Sequence, residues 1–218
     1  MSNNAADFMQ DWTRFKAALF DLDGVIFHTE PQYDRFWEGV CRDYCPDDTE
    51  MIRQMKGQTL TYILGRWFSG ERVHLQPEIV RRVNEYEAGM TFDYVPGFED
   101  FLAMLKRKGL RTAVVTSSNV PKLEQVCRCH PDFRENFDAV ISAEDFKASK
   151  PAPDSYLEGA RRLGVDPASC VAFEDSINGL KSARAAGMYV VALATTLPPE
   201  KLAPLSDRQI PDFTVELV

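Results

Sequence analysis

Apolar residues in this chain gather in short unbroken runs that stop at turn residues, with longer segments of helical period between them. The first run, 16–20 (Lys-Ala-Ala-Leu-Phe), ends abruptly at Asp-Leu-Asp-Gly. A short apolar run bounded this way suits a strand covered on both faces. Similar runs at 110–116, 137–142, 169–173 and 189–193 predict four more strands. Between them, 98–108 sets Phe98, Phe101, Leu102 and Leu105 on one helical face and ends at Gly109. Segments 121–129, 154–163 and 176–186 also read as helices. Pro121 suits a first turn, and Gly164 and Gly187 close the last two. Strands alternating with glycine-stopped helices predict a parallel sheet with covering helices.

Residues 31–91 interrupt the alternation. They read as three or four helices rich in Trp, Tyr, Phe and Arg, with no good strand, and so as a helical insertion between the first two strands. The closing segment is rich in proline, and its 213–217 run, Phe-Thr-Val-Glu-Leu, is a candidate last strand.

Composition narrows the function more than the fold. With 218 residues, 44% hydrophobic and 27% charged, the chain can build an ordinary core as one domain, or as a core with one insertion. Its formal net charge of -8, with no basic block, argues against nucleic acid as a partner. An acidic protein that binds phosphate must concentrate positive charge locally, through a metal ion or a few basic groups. Cys41, Cys45, Cys127, Cys129 and Cys170 are odd in number and irregularly spaced, unlike a disulfide framework. Cys127-Arg128-Cys129-His130 has too tight a spacing for structural zinc and reads as ordinary thiols. The first 11 residues are polar, neither signal peptide nor membrane span, so a cytoplasmic protein is expected.

In an open parallel sheet, ligands bind beyond the carboxyl ends of the strands. The residues there are Asp21 and Asp23, then Thr116-Ser117-Ser118-Asn119, then Ser149-Lys150-Pro151, then Glu174-Asp175. Gathered carboxylates repel one another unless a cation sits among them, and hard oxygen ligands suit magnesium. Hydroxyls and N–H groups opening a helix form a phosphate cradle, and Lys150 adds a point charge. Metal, cradle and lysine are what phosphoryl transfer requires. Taken singly, each cluster has a plainer reading: a turn, a helix cap, a solvated lysine, or the acidic start of a helix. It is their order at successive strand ends that argues for a site.

Those residues make the chain resemble the haloacid dehalogenase superfamily, in the branch of beta-phosphoglucomutase and small-metabolite phosphatases. The resemblance rests on Phe-Asp-Leu-Asp-Gly-Val-Ile at 20–26, Val-Val-Thr-Ser-Ser-Asn at 114–119, Ser-Lys-Pro-Ala-Pro-Asp at 149–154 and Phe-Glu-Asp-Ser-Ile-Asn-Gly at 173–179, and spans about 15–200. It implies a Rossmann-like α/β core of residues 1–30 and 92–218, with 31–91 as an α-helical cap domain that closes over the crevice. It implies Asp21 as the nucleophile forming an aspartyl-phosphate, and Asp23 as the acid and then the base. Thr116 and Lys150 would steady the transferring group, and Gly24, Ser117, Ser118 and Asn119 would help bind phosphate. Mg2+ would sit on Asp21, Asp23 (through its carbonyl) and Asp175, with Glu174 as a ligand or water-holder. The second aspartate speaks against dehalogenation, which needs no leaving-group proton.

The expected activity is hydrolysis of a small phosphorylated metabolite, a sugar or polyol phosphate, by a magnesium-dependent phosphatase. A sugar-phosphate isomerase like the mutase is the alternative. Tyr33, Leu60 and Val83 stand where the mutase has basic cap residues, although Lys56, Arg53 or Arg66 could substitute. His28 reads as a hinge or entrance residue. Trp37, Trp67 and Phe68 read as the insertion's own core rather than as cavity lining.

Overall fold

The computed structural model describes residues 12–46 and 50–216. Sequence readings at 1–11 therefore lie outside the described residues. In chain order the main elements are β1 (Ala17–Phe20), α1 (Glu30–Tyr44), α2 (Met51–Met55), α3 (Leu60–Trp67) and α4 (Gln76–Ala88). There follow α5 (Phe98–Arg107), β2 (Arg111–Val115), α6 (Val120–Cys129), β3 (Ala139–Ile141) and α7 (Asp154–Leu163). The chain continues with β4 (Cys170–Glu174), α8 (Ile177–Ala185), β5 (Tyr189–Leu193), α9 (Pro199–Leu202) and β6 (Arg208–Ile210). The strands form one parallel sheet in the order β3-β2-β1-β4-β5-β6. This is the α/β, Rossmann-like architecture that the alternation predicts.

Strand periodicity divides the core cleanly. Ala18, Phe20, Val171 and Phe173 face one apolar layer, where Phe98 and Phe101 of α5 pack. Their neighbours Leu19 and Ala172 face the opposite layer, filled by Tyr156 and Leu163 of α7 and Leu180 of α8. Phe20 stacks on Phe173 with ring centroids 4.8 Å apart and meets Phe98 edge-on at 5.4 Å. A third apolar cluster, including Val40, Met51, Ile63, Phe68 and Ile79, holds the helices between 30 and 88 together. That segment arrives as four α-helices with a short 3-10 turn at Gly70–Leu75.

One expectation fails. The 213–217 run is a candidate last strand by its sequence, but Phe213–Glu216 is a 3-10 turn, and the sixth strand is Arg208–Ile210. Phe213 is fully buried with its ring 4.9 Å from Phe101 and 5.7 Å from Phe173, so its hydrophobicity serves a plug over the sheet rather than a strand. The true edge strand is only Arg-Gln-Ile, too short and polar to show as an apolar run.

Candidate active site

β1 and β4 lie side by side with Phe20 opposite Phe173, so the next residues, Asp21 and Glu174, come level at the carboxyl end of the sheet. Lys150 reaches between them from the loop before α7 and is fully buried. Its Nζ lies 2.6 Å from Asp21 Oδ1, 2.6 Å from Glu174 Oε1 and 3.2 Å from the Val115 carbonyl. Those three acceptors use all three ammonium protons. Glu174 is equally committed: Oε1 also accepts from the Tyr156 hydroxyl, and Oε2 accepts from the Ser176 hydroxyl and the N–H groups of Asp175 and Ser176.

Asp175 follows β4 and accepts a hydrogen bond from the Thr196 hydroxyl. Gly24 sits against it with φ +75, and a Cβ there would lie 2.0 Å from Asp175 Oδ2. Only glycine gives both that left-handed backbone and that close approach. Gly24 therefore shapes the acidic wall.

Carboxylate oxygens of Asp21, Glu174 and Asp175 lie within 4.8 Å of one another, all three residues buried. Burial pushes the Asp21 carboxyl up to about 7, with Glu174 and Asp23 repelling and Lys150 only partly compensating. Asp175 is pushed well above the usual carboxylate range by burial and then by Glu30, Glu174 and Asp21. Burial alone would lower the Lys150 pKa, but Asp21 and Glu174 hold it above its ordinary value. Three carboxylates with one lysine among them form the hard, anionic donor set of a divalent cation. Asp21 and Asp175 retain coordinating capacity, whereas the Glu174 oxygens are already engaged.

Residues 116–119 line the same cleft. Thr116 is buried at the end of β2, and its hydroxyl accepts from the Ser118 N–H at 3.0 Å. Ser118 Oγ donates to Asp23 Oδ2 at 3.1 Å. Asn119 caps α6, accepting from the Lys122 N–H at 3.1 Å, so the plain capping reading holds for this residue while it also borders the cleft. Asp23 accepts from the Thr29 hydroxyl and, on both oxygens, from Lys122 Nζ at 2.6 and 2.5 Å. Lys122 is almost wholly buried, 4.6 Å from the centre of the Tyr33 ring, and the Tyr33 hydroxyl donates to Glu87 at 2.6 Å. Sequence reasoning missed Lys122, because a lysine in the first turn of a helix carries no mark that separates it from a solvated one.

The helical segment docks on the sheet through the 56–59 turn. Ser117 Oγ donates to the Gly57 carbonyl, Ser149 Oγ donates to Gln58 and accepts from the Thr59 N–H, and Asn178 donates to the Lys56 carbonyl. Gly57 has φ +75, and a Cβ there would stand 2.5 Å from Ser176 Oγ.

Beneath this seam lies a cleft of about 810 Å³, counted to its open mouth. Asp21, Asp23, Asp175 and residues 116–119 form one end. Trp37, Leu60, Ile63 and Val83 from the helices stand at the other, so Trp37 serves both the helical core and the cleft, while Trp67 and Phe68 belong to the helical core alone. His28 is exposed and does not line the cleft. His130 stacks on Phe27, and its Nε2 lies 2.8 Å from the Phe92 carbonyl, which makes it a core residue. Among the described residues no helix is long and apolar enough to cross a membrane.

The family model described as haloacid dehalogenase-like hydrolase matches residues 15–187. The chain belongs to this family. Within it, the haloacid dehalogenase-like chain is 43% identical to CbbY of Cereibacter sphaeroides over 191 residues, covering 81% of this chain and 83% of the relative. It is 34% identical to hexitol phosphatase B of Escherichia coli over 184 residues, covering 81% and 82%. Beta-phosphoglucomutase of Bacillus subtilis is 31% identical over 218 residues, covering 93% of each chain. The crystal structure of a CbbY variant from Rhodobacter sphaeroides, in complex with xylulose-(1,5)bisphosphate, is similar with a TM-score of 0.74 at 30% identity, covering 91% and 95%.

Proposed function

We propose that this hydrolase is a magnesium-dependent phosphatase acting on a small sugar or polyol phosphate through an aspartyl-phosphate on Asp21. The observation that carries the reading is the convergence of Asp21, Lys150 and Asp175 at one cleft end, with Asp23 and Thr116 beside them. The kinship to hexitol phosphatase B supports the substrate class. Residues 1–30 and 92–218 are the catalytic core, and 31–91 the cap that closes the cleft.

Asp21 Oδ attacks phosphorus, and the bond from phosphorus to the leaving oxygen breaks. Asp23 gives that oxygen its proton. A water oxygen then attacks phosphorus, Asp23 takes a water proton, and Asp21 is released with inorganic phosphate. Lys150 holds Asp21 in line and offsets negative charge on the transferring group, while Thr116 and the Ser117 N–H donate to its oxygens. The carboxylates of Asp21 and Asp175 with the Asp23 carbonyl would hold Mg2+, which when bound neutralises charge between carboxylates and phosphate oxygens. Glu174 anchors Lys150 instead of ligating directly. The docked cap keeps bulk water from the acyl phosphate.

The likeness to beta-phosphoglucomutase keeps an isomerase as the second reading. Incubation with Mg2+ and hexose or hexitol phosphates separates the two: phosphate release supports hydrolysis, whereas an isomeric sugar phosphate without release supports the mutase. Asp21→Asn should lower turnover by about 10⁴-fold or more with the circular dichroism spectrum unchanged. An active variant would refute the mechanism.

A further inference from the structure

The cap end of the cleft carries a second piece of chemistry, which concerns the part of the substrate that leaves. Among the described residues, Lys56 is the one Lys or Arg that lines the cleft. It is not free. Its Nζ lies 2.6 Å from Glu30 Oε2 and 2.8 Å from Asp34 Oδ1, and the Lys56 and Glu30 side chains keep only 16% and 13% of their exposure. Both anions line the cleft with it, and Glu87, which accepts from the Tyr33 hydroxyl, is a further carboxyl lining the same cleft. Arg53 turns outward to Glu50 and Arg66 bonds Gln54, so neither faces the cleft. The remaining wall is apolar, formed by Trp37, Ile52, Met55, Leu60, Ile63 and Val83.

We propose that this cleft selects monophosphate esters whose leaving group is uncharged, with an apolar face toward Trp37 and Leu60 and hydroxyls toward Glu30 and Glu87, and rejects esters bearing a second phosphate or a carboxylate. The inference rests on the phosphatase reading above and adds a substrate class to it. A second anion in the cleft would meet a lysine already neutralised twice, with Glu87 as a further carboxyl along the lining. Like charges set opposite each other in a partly desolvated site repel more strongly than in water. Hydroxyls, by contrast, donate well to carboxylates, and a carbon skeleton gains by covering the apolar wall. This sets the chain apart from the related CbbY variant crystallised with a bisphosphate.

The test compares kcat/KM for fructose 1-phosphate and fructose 1,6-bisphosphate in the Mg2+-loaded protein, with p-nitrophenyl phosphate as a reference. The monophosphate should be favoured by about 100-fold. Asp34→Asn, which removes one of the two anions on Lys56, should narrow that ratio by about tenfold. A wild-type ratio below about tenfold overturns the proposal. So does a large ratio that Asp34→Asn leaves unchanged, because the exclusion would then be steric. Hydrolysis of p-nitrophenyl phosphate alongside either of those results leaves the phosphatase reading standing while this one falls. If none of the three esters is hydrolysed, the phosphatase reading falls and carries this one with it.

Discussion

At the sheet end of the cleft the central lysine takes its partners from strand termini, whereas toward the helices Lys56 is held by two carboxylates of a single helix. Lys150 is locked by Asp21, Glu174 and a β2 carbonyl, all fixed by parallel strand register. Lys56 is held only by Glu30 and Asp34, both on α1. The sheet end therefore fixes chemistry to tenths of an ångström. The cap end fixes shape and charge sign, which is enough for selection and tolerant of change. Substitutions should divide along the same line, with large losses of stability and turnover at one end and shifts of specificity at the other.

Among substitutions that test this division, the largest loss of stability is expected at Lys150. Lys150→Met leaves the Asp21 and Glu174 carboxylates buried without their common cation. Removing one partner of a buried ion pair costs about 3–5 kcal/mol. Urea denaturation should register that loss, and phosphate release should fall by about 10²–10³-fold as well, since the transferring group loses its point charge. Lys56→Met should cost less, about 1–2 kcal/mol, because Lys56 and Asp34 keep contact with solvent while Glu30 is left without its cation. Equal losses at the two lysines would erase the distinction.

A sharper contrast comes from Lys122, which binds the proposed acid–base residue from the core while touching the cap through Tyr33. Lys122→Met should lower kcat about 10- to 100-fold on a sugar or polyol phosphate with KM little changed. On p-nitrophenyl phosphate, whose leaving group needs no proton, the loss should be smaller, because there only the water-activating step calls on Asp23. Lys122→Arg should recover part of the activity. A uniform loss on both esters would make Lys122 a structural residue and separate Asp23 from its influence.

The same division governs how much of the molecule was legible in one dimension. A buried parallel strand must be apolar throughout and stop at polar residues, so β5 and α7 stand at their expected limits and Asp21, Thr116 and Asp175 fall at strand ends. The edge strand β6 was illegible, because three residues including Arg208 and Gln209 leave no apolar run. Lys122 and Asp23 meet across 99 positions of sequence, and nothing local to either announces the contact. Glu174 lies in one carboxylate cluster with Asp21 and Asp175, but nothing local to it announces that its oxygens also anchor Lys150. Its five hydrogen-bond donors come from four residues on α7 and in the loops before α7 and after β4, which only the folded chain assembles. Helical period announced the insertion, but whether Trp37 or Trp67 borders the cleft depends on how its helices meet.

The smallest expected effect concerns the metal. In the metal-free protein the Asp21 carboxyl has its pKa raised to about 7 against 3.8 unperturbed, by burial first, and Asp175 is shifted the same way. A group raised on folding binds its proton more tightly in the folded state. Its contribution to stability is thus fully present below the unfolded pKa and is lost as pH rises through about 7. Without divalent cation, melting temperature should decline between pH 5 and pH 8 from this source. A cation that binds the folded state alone restores stability according to its own occupancy, and protons compete for the same oxygens. Mg2+ should therefore raise the melting temperature by about 3–8 °C at pH 8 and by about 1 °C or less at pH 5, at matched ionic strength. Asp175→Asn should abolish the difference, whereas Asp34→Asn at the cap end should preserve it. An equal Mg2+ shift at both pH values, or loss of the shift in Asp34→Asn, would place the cation outside the Asp21–Asp175 pair and undo the separation between the two ends of the cleft.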